Sequence, residues 1–282
     1  MIQTSKHQYA IEVKEVMTNH LGYEEIMKFY FFAKKLKYTT ISLNIWAVEM
    51  FDANLSSLLL AIIGKLRWEN KLYIYVEIPD HMHVLFRNGF FNYLSGNKRL
   101  IYDQRESTIP LKTFAPENDD AFTFYLKKDF FGHRALDHLP FSTVKQLKTA
   151  FSEVFVNAEL HANTNKVYTC GQYFPNKNLL KFTLLDLGDG FFKKIKISNP
   201  DIKTDIAAID WAVKPGNTTK NREYGPGGYG LQDIIDYCKS NNGSIHIISG
   251  LGYWTLSGGH YMNYRIKNPF PGAMIHLIFR KI

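Results

Sequence analysis

Residues 142–161, STVKQLKTAFSEVFVNAELH, constrain the fold more than any other stretch of the chain. Val144, Leu147, Phe151, Val154 and Ala158 recur at helical spacing, so the segment must lay one face against a core. Along the edge of that face run Glu153, Asn157 and His161, each four residues after the last. On a helix of about 3.6 residues per turn each such step turns through only about 40°, so a carboxylate, a carboxamide and an imidazole form one slanting polar stripe. Ser142 stands where the N-cap of this helix is expected. A polar flank of this kind is common on amphipathic helices and becomes a site only if other parts of the chain give it something to face.

Two downstream stretches can do that. Leu179 to Leu185 (LLKFTLL) reads as a buried strand and runs into Asp186-Leu187-Gly188-Asp189-Gly190. A carboxylate fixed at a strand end beside glycines suits a flat heterocycle: it accepts a hydrogen bond from an exocyclic amine while the ring lies against bare backbone. Further on, Gly225-Pro226-Gly227-Gly228-Tyr229-Gly230 precedes a helical run, Leu231 to Lys239. This hexapeptide satisfies the spacing G-x-G-x-x-G, but the dinucleotide motif needs a buried strand before it and an acid about 20 residues after it. Here NTTKNREY precedes it and SIHIISG follows. Neither a protein-kinase glycine loop nor a Walker loop fits the surroundings. What remains is a set of backbone N–H groups able to approach an oxyanion at a helix start. Asn157 can then offer a neutral oxygen to Mg²⁺, which keeps several waters and binds substrate phosphates. Glu153, one turn away, is spaced to serve as a general base.

In this order and with these gaps, Glu153…Asn157-Ala158, Asp186-x-Gly188-x-Gly190 and Gly225-x-Gly227-Gly228-x-Gly230-Leu231 resemble the N, G1 and G2 boxes of the GHKL ATPase superfamily, over residues 117–282. The resemblance implies a Bergerat-fold α/β sandwich that binds ATP and Mg²⁺. It puts Asp186, Gly188 and Gly190 at the adenine, Asn157 on the metal and Glu153 in the catalytic role. Gly225, Gly227, Gly228, Tyr229, Gly230 and Leu231 would hold the phosphates. Phe191 to Tyr224 would form a lid, with Thr218, Thr219 and Lys220 as further phosphate contacts. The form Glu-x-x-x-Asn-Ala-x-x-His is most similar to the anti-sigma-factor serine kinases. A histidine-kinase reading is disfavoured, because His133 lacks an acidic follower and a long dimerisation helix. His161 is then a packing residue.

The N-terminal part alternates strand and helix patterns: Tyr9–Val16, Tyr23–Leu36, Thr40–Met50, Leu55–Leu66, Leu72–Ile78 and His83–Leu94. That alternation predicts a small α/β domain with helices covering a sheet. Ile41-Ser42-Leu43-Asn44-Ile45, then Phe51-Asp52-Ala53-Asn54-Leu55-Ser56-Ser57, resembles the STAS domain of anti-anti-sigma factors over residues 10–95. Asp52 is kept, but Ala53 and Asn54 stand where the hydroxyl residues belong, which implies that the regulatory phosphoacceptor is missing. Ser56 and Ser57 are expected to cap the helix or face solvent. The expected organisation is α/β (α+β) throughout, with a STAS-like domain at 1–116 and the ATP-binding domain at 117–282. Within the latter, Phe122–Leu126 reads as a strand and Ala207–Val213 as a short helix. Ser244–Ile248 and Met274–Phe279 read as closing strands, separated by an aromatic loop holding Tyr253 and Trp254.

Composition narrows the function classes. With 45% hydrophobic and 21% charged residues, the 282-residue chain can bury a real core. Its formal charge of +8 suits an anionic partner, but the lysines and arginines are scattered, so nucleic acid is disfavoured. Cys170 and Cys238 make no disulfide framework, which predicts a reducing, cytoplasmic setting. No run reaches the roughly 18 apolar residues of a membrane span, so no membrane partner is expected. His81 and His83 lack a third ligand nearby and read as surface or structural residues. Two function classes remain. One is a Mg²⁺-dependent ATPase or protein serine/threonine kinase acting in regulation, and the other is a non-catalytic, ATP-gated protein-interaction switch. Either would have a regulatory protein as partner, with a homodimer left open.

Overall fold

The computed structural model describes residues 2–4, 8–13, 15–96, 102–219 and 228–281. Contacts divide the chain into two units, 1–111 with 170–172, and 112–169 with 173–282. Both mix helix and strand, as the α/β pattern predicts.

The first unit is built from β1 (Ile2–Thr4), β2 (Gln8–Glu12), α1 (His20–Ala33), β3 (Thr40–Asn44), α2 (Ser56–Glu69), β4 (Tyr73–Glu77), α3 (His83–Arg87) and α4 (Phe90–Ser95). Its sheet has the order β1-β2-β3-β4, with β2, β3 and β4 parallel and β1 antiparallel to β2. Parallel neighbours need long crossovers, and α1 and α2 provide them. Helix α1 starts where the Asn19 side chain accepts from the Leu21 and Gly22 N–H groups, a cap worth about 1 kcal/mol. Helix α2 is buried along Leu58, Leu59, Ala61, Ile62, Ile63 and Leu66, in keeping with its apolar run. Ser56 and Ser57 do not face solvent; both are fully buried, and their hydroxyls donate to Ala53 O (2.6 Å) and Asn54 O (2.7 Å) one turn back. The strand expected over Thr40–Met50 stops at Asn44, whose side chain accepts from the Trp46 N–H (2.7 Å) and turns the chain. The helix expected over His83–Leu94 is split between α3 and α4 at Asn88-Gly89.

The second unit contains α5 (Asp119–Tyr125), α6 (Phe141–His161), β7 (Leu179–Asp186), α7 (Gly190–Ser198), α8 (Asp205–Ala212), α9 (Gly230–Ser240), β8 (Ser244–Ser257) and β9 (His260–Arg280). The unit boundary runs inside β5 (Thr108–Phe114) and β6 (Val167–Phe174), and the sheet order is β5-β6-β7-β9-β8. Strand β9 is antiparallel to both of its neighbours.

Three expectations are corrected here. Phe122–Leu126 is not a strand but the end of α5 and the first residue of the π-helical turn Leu126–Phe130. Asn118 caps that helix by accepting from the Ala121 N–H (3.1 Å), and Asp119 and Asp120 sit favourably at the positive end of its dipole. Its aromatic residues pack helix on helix, Phe122 stacking on Phe155 of α6 with centroids 4.2 Å apart. Helix α6 starts at Phe141, with Pro140 rather than Ser142 at its cap. No aromatic loop separates the closing strands: β8 and β9 are one long hairpin turning at Gly258-Gly259, and Tyr253 and Trp254 are buried within β8. Strand β6 went unread because it is buried nearly throughout and lacks the alternation that marks a half-exposed strand. Among the described residues, no helix is long and apolar enough to cross a membrane.

Candidate functional site

In the second unit a cleft encloses about 980 Å³ of free space, its open mouth included. Its wall brings together Glu153, Asn157, Asp186, Gly190, Thr218, Thr219, Gly228 and Leu231, all singled out from the sequence. Gly188, Tyr229 and Gly230 are not on that wall, and Tyr229 is half exposed. Lys220, Gly225 and Gly227 lie outside the described residues, as does the His161 side chain.

Asp186 ends β7, where it pairs in register with Ala273 of β9. Its carboxylate is 7% exposed and accepts from the Gly188 N–H at Oδ1 (2.8 Å). Burial pushes its pKa up from 3.8 to about 7, against the downward pull of the Gly188 and Ala273 N–H groups; Asp189 adds a smaller upward push. A buried acid held in a cleft with its affinity for protons raised this far is a costly arrangement, and such groups cluster at functional sites.

The turn after Asp186 is pinned to the end of α6. The Asp189 N–H donates to Ala162 O (2.6 Å), and a Cβ on Gly188 would lie 1.8 Å from the same oxygen. Only glycine permits that approach, and it sets Asp186 and the polar stripe of α6 in one frame. The same holds at the other end of the stripe. A Cβ on Gly230 would come within 2.9 Å of Ala150 O and of the Glu153 Cβ, so α9 begins against α6. There the Gly228 N–H donates to Glu153 Oε1 (2.6 Å) and the Gly230 N–H to Glu153 Oε2 (2.9 Å). The Glu153 carboxylate thus bridges the first N–H of α9 and that of Gly228 just before its cap, at the positive end of the helix dipole, and both its oxygens are engaged.

Asn157 is half-buried on the cleft wall, and its amide makes no hydrogen bond among the described residues. Among the described residues no group of three or more His, Cys, Asp or Glu side chains could hold a metal. One carboxamide oxygen therefore fits Mg²⁺ only where phosphates and waters complete the shell. His81 lies 3.4 Å from Val48 O, a structural contact.

The segment expected as a lid, Phe191 to Tyr224, is largely helical in its first half. Helices α7 and α8 bury Ile195, Ala208 and Ile209. Thr204 caps α8, and the Asp205 carboxylate accepts from the Leu251 N–H of β8 (2.9 Å). These helices add wall residues that the sequence reading missed: Phe191, Lys194 and Ile195 from one face of α7, and Trp211 from α8. The i, i+3, i+4 spacing after Gly190 was the available signal. The chain matches no known family model, and no curated protein matches it.

Proposed function

We propose that this cleft binds ATP with Mg²⁺, and that the second unit is a GHKL-type Bergerat domain. The observation that carries the reading is Asp186, a buried carboxylate at a strand end on the wall of a cleft that Glu153 and Asn157 also line. That carboxylate would accept from the exocyclic amine of a purine. Asn157 would offer its oxygen to the phosphate-bound cation, and the Gly228 and Gly230 N–H groups, which donate to Glu153 here, would serve a phosphate that displaces that carboxylate. The parallel order of β2, β3 and β4 with intervening helices supports a STAS-like reading of the first unit, one without a hydroxyl at Ala53 or Asn54.

For the reaction, Glu153 would take a proton from water or from a partner's hydroxyl, making the protein an ATPase or a serine/threonine kinase. In the structure both of its oxygens already accept from the Gly228 and Gly230 N–H groups. That engagement supports a second reading, an ATP-gated interaction switch in which nucleotide changes which contacts Glu153 and α9 make, without chemistry. Either role involves a regulatory protein partner, with a homodimer compatible with both. Two free, buried cysteines fit a cytoplasmic setting.

Calorimetric titration of ATP with and without Mg²⁺, on wild type and Asn157→Ala, tests the reading. Wild type is expected to bind ATP more tightly with Mg²⁺, and Asn157→Ala to lose that gain while still binding ATP alone. Absence of ATP binding to wild type would refute the proposal. Turnover by wild type that Glu153→Ala abolishes favours the enzyme, and tight binding without turnover favours the switch.

A further inference from the structure

We infer that Lys194 is the side chain that neutralises a phosphate of the bound ligand, an inference that rests on the nucleotide reading of the cleft. Helix α7 carries three lysines, Lys193, Lys194 and Lys196. Two have partners away from the cleft. Lys193 pairs with Asp189 at 2.8 Å with its side chain 63% exposed, and Lys196 lies over the Phe192 ring, 5.3 Å from its centroid. Lys194 differs: it is half-buried on the cleft wall, on the same helical face as Phe191 and Ile195. Among the described residues it makes no ion pair and no hydrogen bond, and it is the one lysine or arginine on the described wall.

The acids of the cleft do not serve it. Glu153 has both oxygens on the N–H groups of α9, and Asp186 is turned to the Gly188 N–H. A half-buried ammonium on the same wall as Phe191, Ile195 and Trp211, with no ion pair among the described residues, gains a partner when an anion arrives with the ligand. Lysine suits a phosphate in this position, because its charge is compact and its donors rotate to meet oxygens from several directions. An adenine read by Asp186 leaves its phosphate chain as that anion. The resemblance offers Lys220 as one candidate phosphate contact; Lys194 offers another from helix α7.

The test uses the full chain with adenosine and ADP as probes, in chelator so that no metal bridges the phosphates, on wild type, Lys194→Met and Lys194→Arg. Lys194→Met keeps the aliphatic stem and removes the charge. It is expected to weaken ADP by about tenfold or more while adenosine stays within about twofold, and Lys194→Arg to keep most of the ADP affinity. The salt dependence of ADP binding should shrink in Lys194→Met and not in Lys194→Arg. Equal losses for adenosine and ADP would mean that the stem packs and the charge does nothing. Unchanged ADP affinity in Lys194→Met would mean a solvated lysine; either result overturns the inference and leaves the nucleotide reading standing. Wild type that binds neither probe removes both.

Discussion

Removing the Glu153 carboxylate is the perturbation whose cost the structure defines best. In Glu153→Ala the N–H groups of Gly228 and Gly230 lose acceptors at 2.6 and 2.9 Å. Hydrogen bonds to an ionised group contribute about 1.5–3 kcal/mol each, and a negative charge at a helix N-terminus adds about 0.3–1 kcal/mol. The freed donors sit at and just before the start of α9 beside an open cleft, where water can replace the carboxylate. The expected net loss is therefore about 2 kcal/mol, not the sum. Because the chain has two units, a global melting curve would blur this loss, so the assay is amide hydrogen exchange along α9. Exchange at Gly228 and Gly230 should speed up by about 30-fold in Glu153→Ala, which is what 2 kcal/mol means. Glu153→Gln should fall between, since its one carbonyl satisfies one donor and its NH₂ confronts the other. ATP should restore protection in Glu153→Ala, its phosphate taking the carboxylate's place. Exchange at these amides unchanged in Glu153→Ala would refute the bridging role.

Other outcomes follow from the same frame. Gly188→Ala drives a Cβ to 1.8 Å from Ala162 O, so the turn must move; a loss of about 2–4 kcal/mol in urea denaturation is expected, and an unchanged midpoint contradicts the close approach. Asp186, with its folded pKa raised to about 7 from 3.8, binds more protons folded than unfolded between those values, so its contribution to stability falls as pH rises through that window. Asp186→Asn should therefore gain on wild type as pH goes from 4 to 7, and a flat difference would rule out the buried acid. His246 has the opposite sign: burial lowers its pKa from 6.5 to about 4, so the unfolded chain binds more protons there and stability is lost as pH falls through that range. Its Nδ1 lies 3.0 Å from the Tyr253 hydroxyl and 2.9 Å from that of Thr255, and its ring NMR signals should not titrate above pH 5; a midpoint near 6.5 would contradict this burial.

The elements legible in the sequence were those whose side-chain period is undiluted. Helix α2 and strand β7 are apolar runs bounded by turn residues, and α6 has a continuous stripe from Val144 to Ala158. Helix α5 was misread because Phe122, Phe124 and Tyr125 imitate a strand, although Asn118 followed by two aspartates was a helix start in plain view. Strands β8 and β9 were cut short because glycines and prolines between them read as loop, whereas the hairpin absorbs them at shifts in register. In the cleft, Glu153, Asn157 and Asp186 were legible from spacing and chemistry. Lys194 shares a helical face with Phe191 and Ile195, but that spacing does not say what the face meets, and Trp211 reaches the wall only through the packing of α8.

The central claim, a purine read by Asp186, is tested most directly by titrating ATP and adenosine into wild type and Asp186→Asn at pH 8. At that pH the carboxyl is ionised, and the substitution relieves a buried charge, so the variant should stay folded. The account predicts that wild type binds both ligands and that Asp186→Asn weakens both by about tenfold or more, its amide offering a donor where the purine amine needs an acceptor. Equal affinity of the two proteins for ATP would contradict it.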